Sequence, residues 1–212
     1  MARFAIFREL SDAEEAAVLA LARRRKFRRN EPLFHEGDPG DTVHLIDKGH
    51  VAVRVTTPLG DVATVRVIGR GGLVGEMAVL DATPRSATVV ALDPVETLSM
   101  HRDVVAQARR DHPTLDRALL AAALNEVRRL SGALTEALYV PTPKRLARHL
   151  LALATLFGGD IPLTQDDLAG LSGSTRQTVN QLLGDLQKVG AIAVSRGKVA
   201  VLDRTLLERA AR

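Results

Sequence analysis

The 212-residue sequence contains no cysteine. That absence excludes disulfides, cysteine-ligated zinc, iron–sulfur clusters and thiol catalysis together, and it suits a reducing cytoplasm. Aromatic residues make up only 3%, so the stacking platforms that single-stranded nucleic acid needs are scarce. No apolar run approaches the ~20 residues of a membrane-spanning helix. The opening Met1-Ala2-Arg3-Phe4 shows no signal-peptide pattern. A cytoplasmic protein without membrane attachment is expected. Hydrophobic residues nonetheless reach 46%, enough for a packed core rather than a disordered chain.

A surplus of one charge sign is missing from the first half and present in the second. Residues 1–112 hold 16 basic and 16 acidic side chains, whereas residues 113–212 hold 13 and 9, so the whole net charge of +4 lies there. A basic segment favours a polyanion such as nucleic acid, although a solvated helical surface would look the same.

The local patterns divide the chain into three parts. Ser11-Asp12-Ala13-Glu14 is a capping box ahead of helically spaced apolar residues. From about Phe27 to Met100, short β-branched runs (43–46, 51–55, 62–67, 86–90 and 96–98) alternate with Gly- and Pro-containing turns. That spacing predicts a β-sandwich or barrel over residues 1–112. After Pro113 the pattern turns helical. Leu120, Leu124, Val127, Ser131, Leu134 and Leu138 follow the 4,3 spacing of a two-stranded coiled coil, which predicts a dimerisation helix over 113–140. A helix packed on its own domain remains the alternative, because Ala121 to Ala123 broaden the apolar face. Pro141 and Pro143 then mark a hinge, and a helix from about Lys144 to Phe157 ends at Gly158-Gly159.

Residues 141–212 carry the sharpest pattern. Thr164 can cap a short helix that reaches about Leu171, and Ser172-Gly173 makes a tight turn. Ser174 is expected as the next N-cap, with Gln177 closing a capping box, and the second helix should run to Val189 before Gly190. Val179, Leu182, Leu183 and Leu186 would form its buried stripe, leaving Ser174, Thr175, Arg176, Gln177, Asn180 and Gln181 outward in the first turns. A recognition helix needs that layout: Arg pairs bidentately with guanine, and Gln or Asn with adenine. A hairpin around Ser195-Arg196-Gly197-Lys198 follows, with Arg196 and Lys198 placed to meet phosphates. Together these describe a winged helix-turn-helix that binds double-stranded DNA.

The β-region carries a second candidate site. Gly75-Glu76-Met77-Ala78 follows a glycine-rich turn, and Pro84-Arg85-Ser86-Ala87-Thr88 lies nine positions beyond Glu76. A short helix between them would bring the ends together. Backbone amides, the Arg85 guanidinium and the Ser86 hydroxyl would then suit a phosphate, and Glu76 a ribose hydroxyl. A simple Glu76–Arg85 salt bridge fits the same residues. No Ser/His/Asp, Cys/His or P-loop arrangement is apparent, so catalysis is not expected. A cupin-type metalloenzyme would have to use His35, His44 and His50, whose spacing lacks a close His-x-His pair.

In order, the segments 34–38 (Phe-His-Glu-Gly-Asp), 75–78, 84–88, 163–169 and 175–179 (Thr-Arg-Gln-Thr-Val) resemble the CRP/FNR superfamily of bacterial transcription regulators. The resemblance covers nearly the whole chain. It implies an α+β architecture: an N-terminal β-jelly-roll cyclic-nucleotide-binding domain, a long dimerisation helix and a C-terminal winged helix-turn-helix. It further implies a homodimer on a palindromic operator, RNA polymerase as a partner, and cyclic AMP as effector. By position, Gly75 and Glu76 match the family's ribose contacts in its phosphate-binding cassette, with Met77 beside them as a further cofactor-binding candidate, and Arg85 and Ser86 match its phosphate contacts. Ser131 matches one hydroxyl of the pair that contacts adenine in cyclic-AMP-responsive members, while Leu130 departs from the other. Arg176 matches the family's guanine-reading arginine. Gln177 stands where many members have Glu, and Gln181 where one has Arg, so the operator should differ from theirs. The cysteines that hold an oxygen-sensing cluster or a haem in some members are absent. A family regulator active without any effector is the nearest rival.

Overall fold

The computed structural model describes residues 4–212. Of the opening Met1-Ala2-Arg3-Phe4, read above for a signal-peptide pattern, Met1, Ala2 and Arg3 lie outside the described residues. A turn at Ala5–Phe7 leads to α1 (Asp12–Ala20), β1 (Arg23–Phe27), β2 (Pro32–Phe34), β3 (Thr42–Lys48), β4 (Val51–Thr56), β5 (Val62–Ile68) and β6 (Leu73–Val74). Then come α2 (Glu76–Asp81), β7 (Thr88–Ala91), β8 (Val95–His101), α3 (Arg102–Asp111), α4 (Pro113–Tyr139) and α5 (Thr142–Phe157). The chain ends with α6 (Gln165–Ser172), α7 (Arg176–Lys188), β9 (Ile192–Ser195), β10 (Lys198–Val201) and α8 (Arg204–Ala210). Two compact units form, one from 1–53 and 68–129, the other from 54–67 and 130–212.

The expected capping box starts α1: the Glu14 amide donates to Ser11 Oγ at 3.3 Å, and the Ser11 amide donates to Glu14 Oε2 at 2.9 Å. The strands form two four-stranded sheets, ordered β1-β8-β3-β6 and β2-β7-β4-β5. β3 shows why such a strand reads as a continuous apolar run. Successive side chains leave opposite faces, so Leu45 enters a core with Phe7, Leu98, Met100 and Leu119, while Ile46 enters another with Val51, Val89, Ala91 and Val95.

Two of the elements that the sequence does not show are instructive. β1 consists of Arg23-Arg24-Arg25-Lys26-Phe27, four cations in a row, and pairs antiparallel with β8. It is compatible with the sheet because acidic neighbours lie across it: Arg24 reaches Asp47 and Glu96 at 2.7 Å each, and Lys48 reaches Glu96 at 3.4 Å. The second is α3, whose first turn is capped by the His101 side chain, which accepts from the Asp103 amide. α4 extends as expected, and its Leu120, Leu124, Val127, Leu134 and Leu138 are exposed in the single chain.

In the second unit, α5 buries Leu146, Leu150 and Leu153, and α6 contributes Leu168. α5 begins two residues earlier than expected, at Thr142, with Pro143 inside its first turn, where a missing N–H costs nothing. α6 has a full capping box between Thr164 and Asp167. Gly173 ends it at φ 57°, a left-handed turn that glycine adopts without penalty.

Candidate nucleotide pocket and DNA-binding surface

Arg85 lies almost completely buried in the first unit, at 4% exposure. Burying a cation is costly unless it is paired and hydrogen-bonded. Here Nη1 donates to the Gly75 carbonyl at 2.9 Å, Nη2 donates to Thr42 Oγ1 at 3.0 Å, and Asp41 Oδ1 lies 3.9 Å away. Cζ sits 4.1 Å from the centre of the Phe34 ring, a cation–π distance. The buried Nε–H has no partner among the described residues. Burial draws the guanidinium below its usual range, while the carboxylates of Asp41, Asp38 and Glu76 oppose that shift.

The short helix α2 joins the two ends of the cassette. Gly75 adopts φ 84°, and a Cβ there would lie 2.4 Å from Arg85 Nη1 and 2.9 Å from the Thr42 carbonyl. A side chain at position 75 would therefore displace the arginine. Glu76 begins α2, Met77 is exposed on it, and Ser86 is exposed next to Arg85. Ser131 lies in the other unit, exposed on α4, with its carbonyl accepting from Thr135 Oγ1 at 2.9 Å.

Thr42, His44 and Phe34 surround Arg85 and were missed as part of the site. The cupin-type alternative would need His44 as a metal ligand. His44 is buried, 3.1 Å from Thr97 Oγ1 through Nδ1 and 3.4 Å from Thr42 Oγ1 through Nε2. Burial, then the charge of Arg85, lowers its pKa from 6.5 to about 4. His50 is tied separately to Asp93 at 2.6 Å, and no metal-binding group of three ligand side chains occurs among the described residues. The signal for Thr42 and His44 was the period of two along β3, which puts both on one face.

In the second unit α5, α6, α7 and α8 pack around Leu146, Leu150, Leu168, Val179, Leu183 and Leu207. The expected N-cap moves by one residue. Thr175, not Ser174, caps α7, its hydroxyl accepting from the Thr178 amide at 3.2 Å, so Gln177 is not at N3. Gly173 in the left-handed region lets Ser174 N–H donate to the Ala169 carbonyl at 3.0 Å, which uses Ser174 to close the turn. Val179 and Leu183 are buried, and Leu182 and Leu186 half-buried. Thr175, Arg176, Gln177, Asn180 and Gln181 are exposed.

The wing is β9 and β10, paired antiparallel with Ser195 opposite Lys198. Arg196 and Lys198 are exposed. Two of these cations have carboxylate partners: Arg176 with Asp166 at 3.2 Å, and Lys198 with Asp160. Arg145, also missed, donates from Nη2 to the Ser172 carbonyl at 2.8 Å and from Nη1 to the Val140 carbonyl at 2.6 Å. It ties the end of α6 to the residue following α4. No helix among the described residues is long and apolar enough to cross a membrane.

Residues 24–112 match the model of the cyclic nucleotide-binding domain, and residues 144–210 that of the Crp-like helix-turn-helix domain. The chain is 30% identical to a CRP-like cAMP-activated global transcriptional regulator of Mycobacterium tuberculosis, over 100% of this chain and 98% of that one. It is 32% identical to the cyclic AMP receptor protein of Thermus thermophilus, covering 97% and 96%. The solved structure of the Thermus thermophilus catabolite activator protein superposes with a TM-score of 0.59 at 30% identity, covering 97% of each chain. These relatives are regulators, so the cupin-type reading gives way. The β-domain with its cassette, the long helix and the winged helix-turn-helix, matched along their whole length, make this chain a member of the CRP/FNR family of DNA-binding transcription regulators.

Proposed function

We propose that the chain acts in the cytoplasm as a homodimer, binding a palindromic operator in double-stranded DNA under the control of cyclic AMP. In this reading residues 1–112 sense the nucleotide, 113–140 dimerise and 141–212 bind DNA. The observation that carries the effector reading is Arg85: a buried guanidinium with a partnerless Nε–H fits an anion. Arg85 and Ser86 would hold the cyclic phosphate, Gly75 and Glu76 would face the ribose with Met77 beside them in the cassette, and Ser131 would contact adenine. The relatives' names support cyclic AMP as the leading ligand.

Dimerisation is supported by the stripe on α4. Leu120, Leu124, Val127, Leu134 and Leu138 are 46–67% exposed, a costly arrangement unless a second helix covers them. A two-fold dimer presents two recognition helices about one turn of DNA apart. Thr175, Arg176, Gln177, Asn180 and Gln181 would then meet base edges, with Ser174 at the turn, and Arg196 and Lys198 would meet phosphates. Bound cyclic AMP supplies a negative phosphate and an adenine face. Bound at Arg85 and the helix around Ser131, it would favour one placement of the 141–143 hinge by binding that dimer state more tightly, and would shift the population only by that difference. RNA polymerase is the expected downstream partner.

A regulator active without effector is the second reading, and Leu130 favours it, since it offers no hydroxyl to adenine. Calorimetric titration of the dimer with cyclic AMP and cyclic GMP separates the two. Saturable binding of cyclic AMP supports control by nucleotide. No heat with either, alongside tight operator binding, supports the second reading.

A further inference from the structure

An arginine serves as an anion site at low entropic cost only if its guanidinium is held beforehand. Beside the Gly75 carbonyl, which accepts from Nη1 at 2.9 Å, the side-chain hydrogen bond that holds Arg85 comes from β3. Nη2 donates to Thr42 Oγ1 at 3.0 Å, and Thr42 Oγ1 lies 3.4 Å from His44 Nε2. His44 Nδ1 lies 3.1 Å from Thr97 Oγ1 on β8. Arg has only donors, so the Thr42 oxygen accepts from Nη2. A neutral His44 ring satisfies both threonines in either tautomer: Thr42 donates to Nε2 while Nδ1–H donates to Thr97, or Thr97 donates to Nδ1 while Nε2–H donates to Thr42. Burial beside Arg85 keeps the imidazole neutral, with a pKa of about 4.

The aromatic rings fix the other side. Phe34 lies under the guanidinium at 4.1 Å, and His44 stands between Phe34, at 6.1 Å, and Phe27, at 5.9 Å. Asp41 contributes less to the aim of Arg85, because it is 3.9 Å away and its side chain is 55% exposed, so solvent screens the pair. Thr42 and His44, by contrast, act from within the fold.

We propose that Thr42 and His44 are positioning residues for the nucleotide phosphate: they hold the Arg85 guanidinium in the orientation that receives it, without touching the nucleotide themselves. The inference rests on the reading of the cassette as a cyclic-nucleotide pocket. It predicts that affinity follows the hydroxyl at position 42 rather than the side-chain volume there.

The test uses the full chain and three variants, Thr42→Val, Thr42→Ser and His44→Phe. Calorimetry measures cyclic AMP affinity, and nitrogen-15 NMR of nucleotide-free protein measures solvent exchange of the Arg85 Nε–H. Thr42→Val should weaken cyclic AMP binding by about tenfold or more and lower the melting temperature, because it leaves a charged donor unpaired, and Thr42→Ser should stay within about twofold of the natural affinity. His44→Phe, which keeps a ring between Phe27 and Phe34, should weaken binding severalfold. The Arg85 Nε–H should exchange slowly in the natural protein and Thr42→Ser, and faster in Thr42→Val. Thr42→Val with natural affinity and natural exchange overturns the proposal, as does Thr42→Ser as weak as Thr42→Val. Should the natural protein bind no cyclic nucleotide, the pocket reading fails and the exchange rates decide alone. Faster exchange confined to Thr42→Val then supports positioning, and equal rates overturn it.

Discussion

Arg176, at the first position of the recognition helix, donates from Nη1 to Asp166 Oδ2 of the preceding helix at 3.2 Å. Both side chains are more than 60% exposed, so the pair itself adds little stability. On the proposed reading a guanine edge would compete with Asp166 for the same guanidinium, and the carboxylate would repel nearby DNA phosphates. Asp166→Asn should tighten operator binding severalfold with the base preference unchanged, as measured by fluorescence anisotropy against operator and scrambled duplexes. Arg176→Ala should cost about 1–3 kcal/mol and relax discrimination at one base pair.

Lys198 differs in kind. It lies in the wing and pairs with Asp160, and a phosphate contact carries no base information. Lys198→Ala should weaken specific and random DNA alike, and lower the slope of log affinity against log salt by about 1. A salt titration on both duplexes checks this. A loss confined to the operator would place Lys198 at a base edge instead.

The sequence revealed some parts of the molecule and hid others, for identifiable reasons. The capping box at Ser11, the cap at Thr164 and the 4,3 spacing of α4 are visible because they are local, set by neighbours within a turn or two. β1 was hidden because four consecutive cations carry no strand signal; the acidic side chains that accept them, Asp47 and Glu96, are distant in sequence. The shift of the α7 cap from Ser174 to Thr175 followed from Gly173, whose left-handed turn draws the Ser174 amide back to Ala169. In the cassette, the meeting of Gly75 and Arg85 followed from spacing. The support beneath Arg85 did not, since Thr42, His44 and Phe34 come from strands far earlier in the chain.

His44 gives the fold a calculable acid sensitivity. Its pKa falls from 6.5 to about 4 on folding, so the unfolded chain binds more protons between those values. Its contribution to stability is complete above pH 6.5 and is lost as pH falls toward 4, a total of about 3 kcal/mol at 1.36 kcal/mol per unit. His149, also lowered by burial, acts in the same direction. Urea unfolding at pH 7.5 and pH 5 should show a smaller loss for His44→Phe than for the natural protein. Equal losses would mean that His44 is not buried in its neutral form.

Arg145 bonds to the carbonyls of Ser172 and Val140. Charged hydrogen bonds of this kind are worth about 1.5–3 kcal/mol each when a partner is removed, less where solvent competes. Arg145→Met should lower the denaturation midpoint of the DNA-binding unit while leaving cyclic AMP titration of the β-domain unchanged. Differential scanning calorimetry with and without nucleotide resolves the two.

The exposed stripe on α4 makes its own prediction. Val127 is 58% exposed, and a charge there would be desolvated in a helix pair. Val127→Glu should yield monomers in sedimentation velocity at concentrations where the natural protein is dimeric, and lose operator affinity as a consequence.

The most direct test is anisotropy on a palindromic duplex selected from random DNA, with and without saturating cyclic AMP, for the natural protein and for Arg85→Leu. The account predicts dimer binding at least about tenfold tighter with nucleotide, a coupling of about 1.4 kcal/mol, and no such gain in Arg85→Leu. Equal affinity in both conditions for the natural protein, or an undiminished gain in Arg85→Leu, would contradict it.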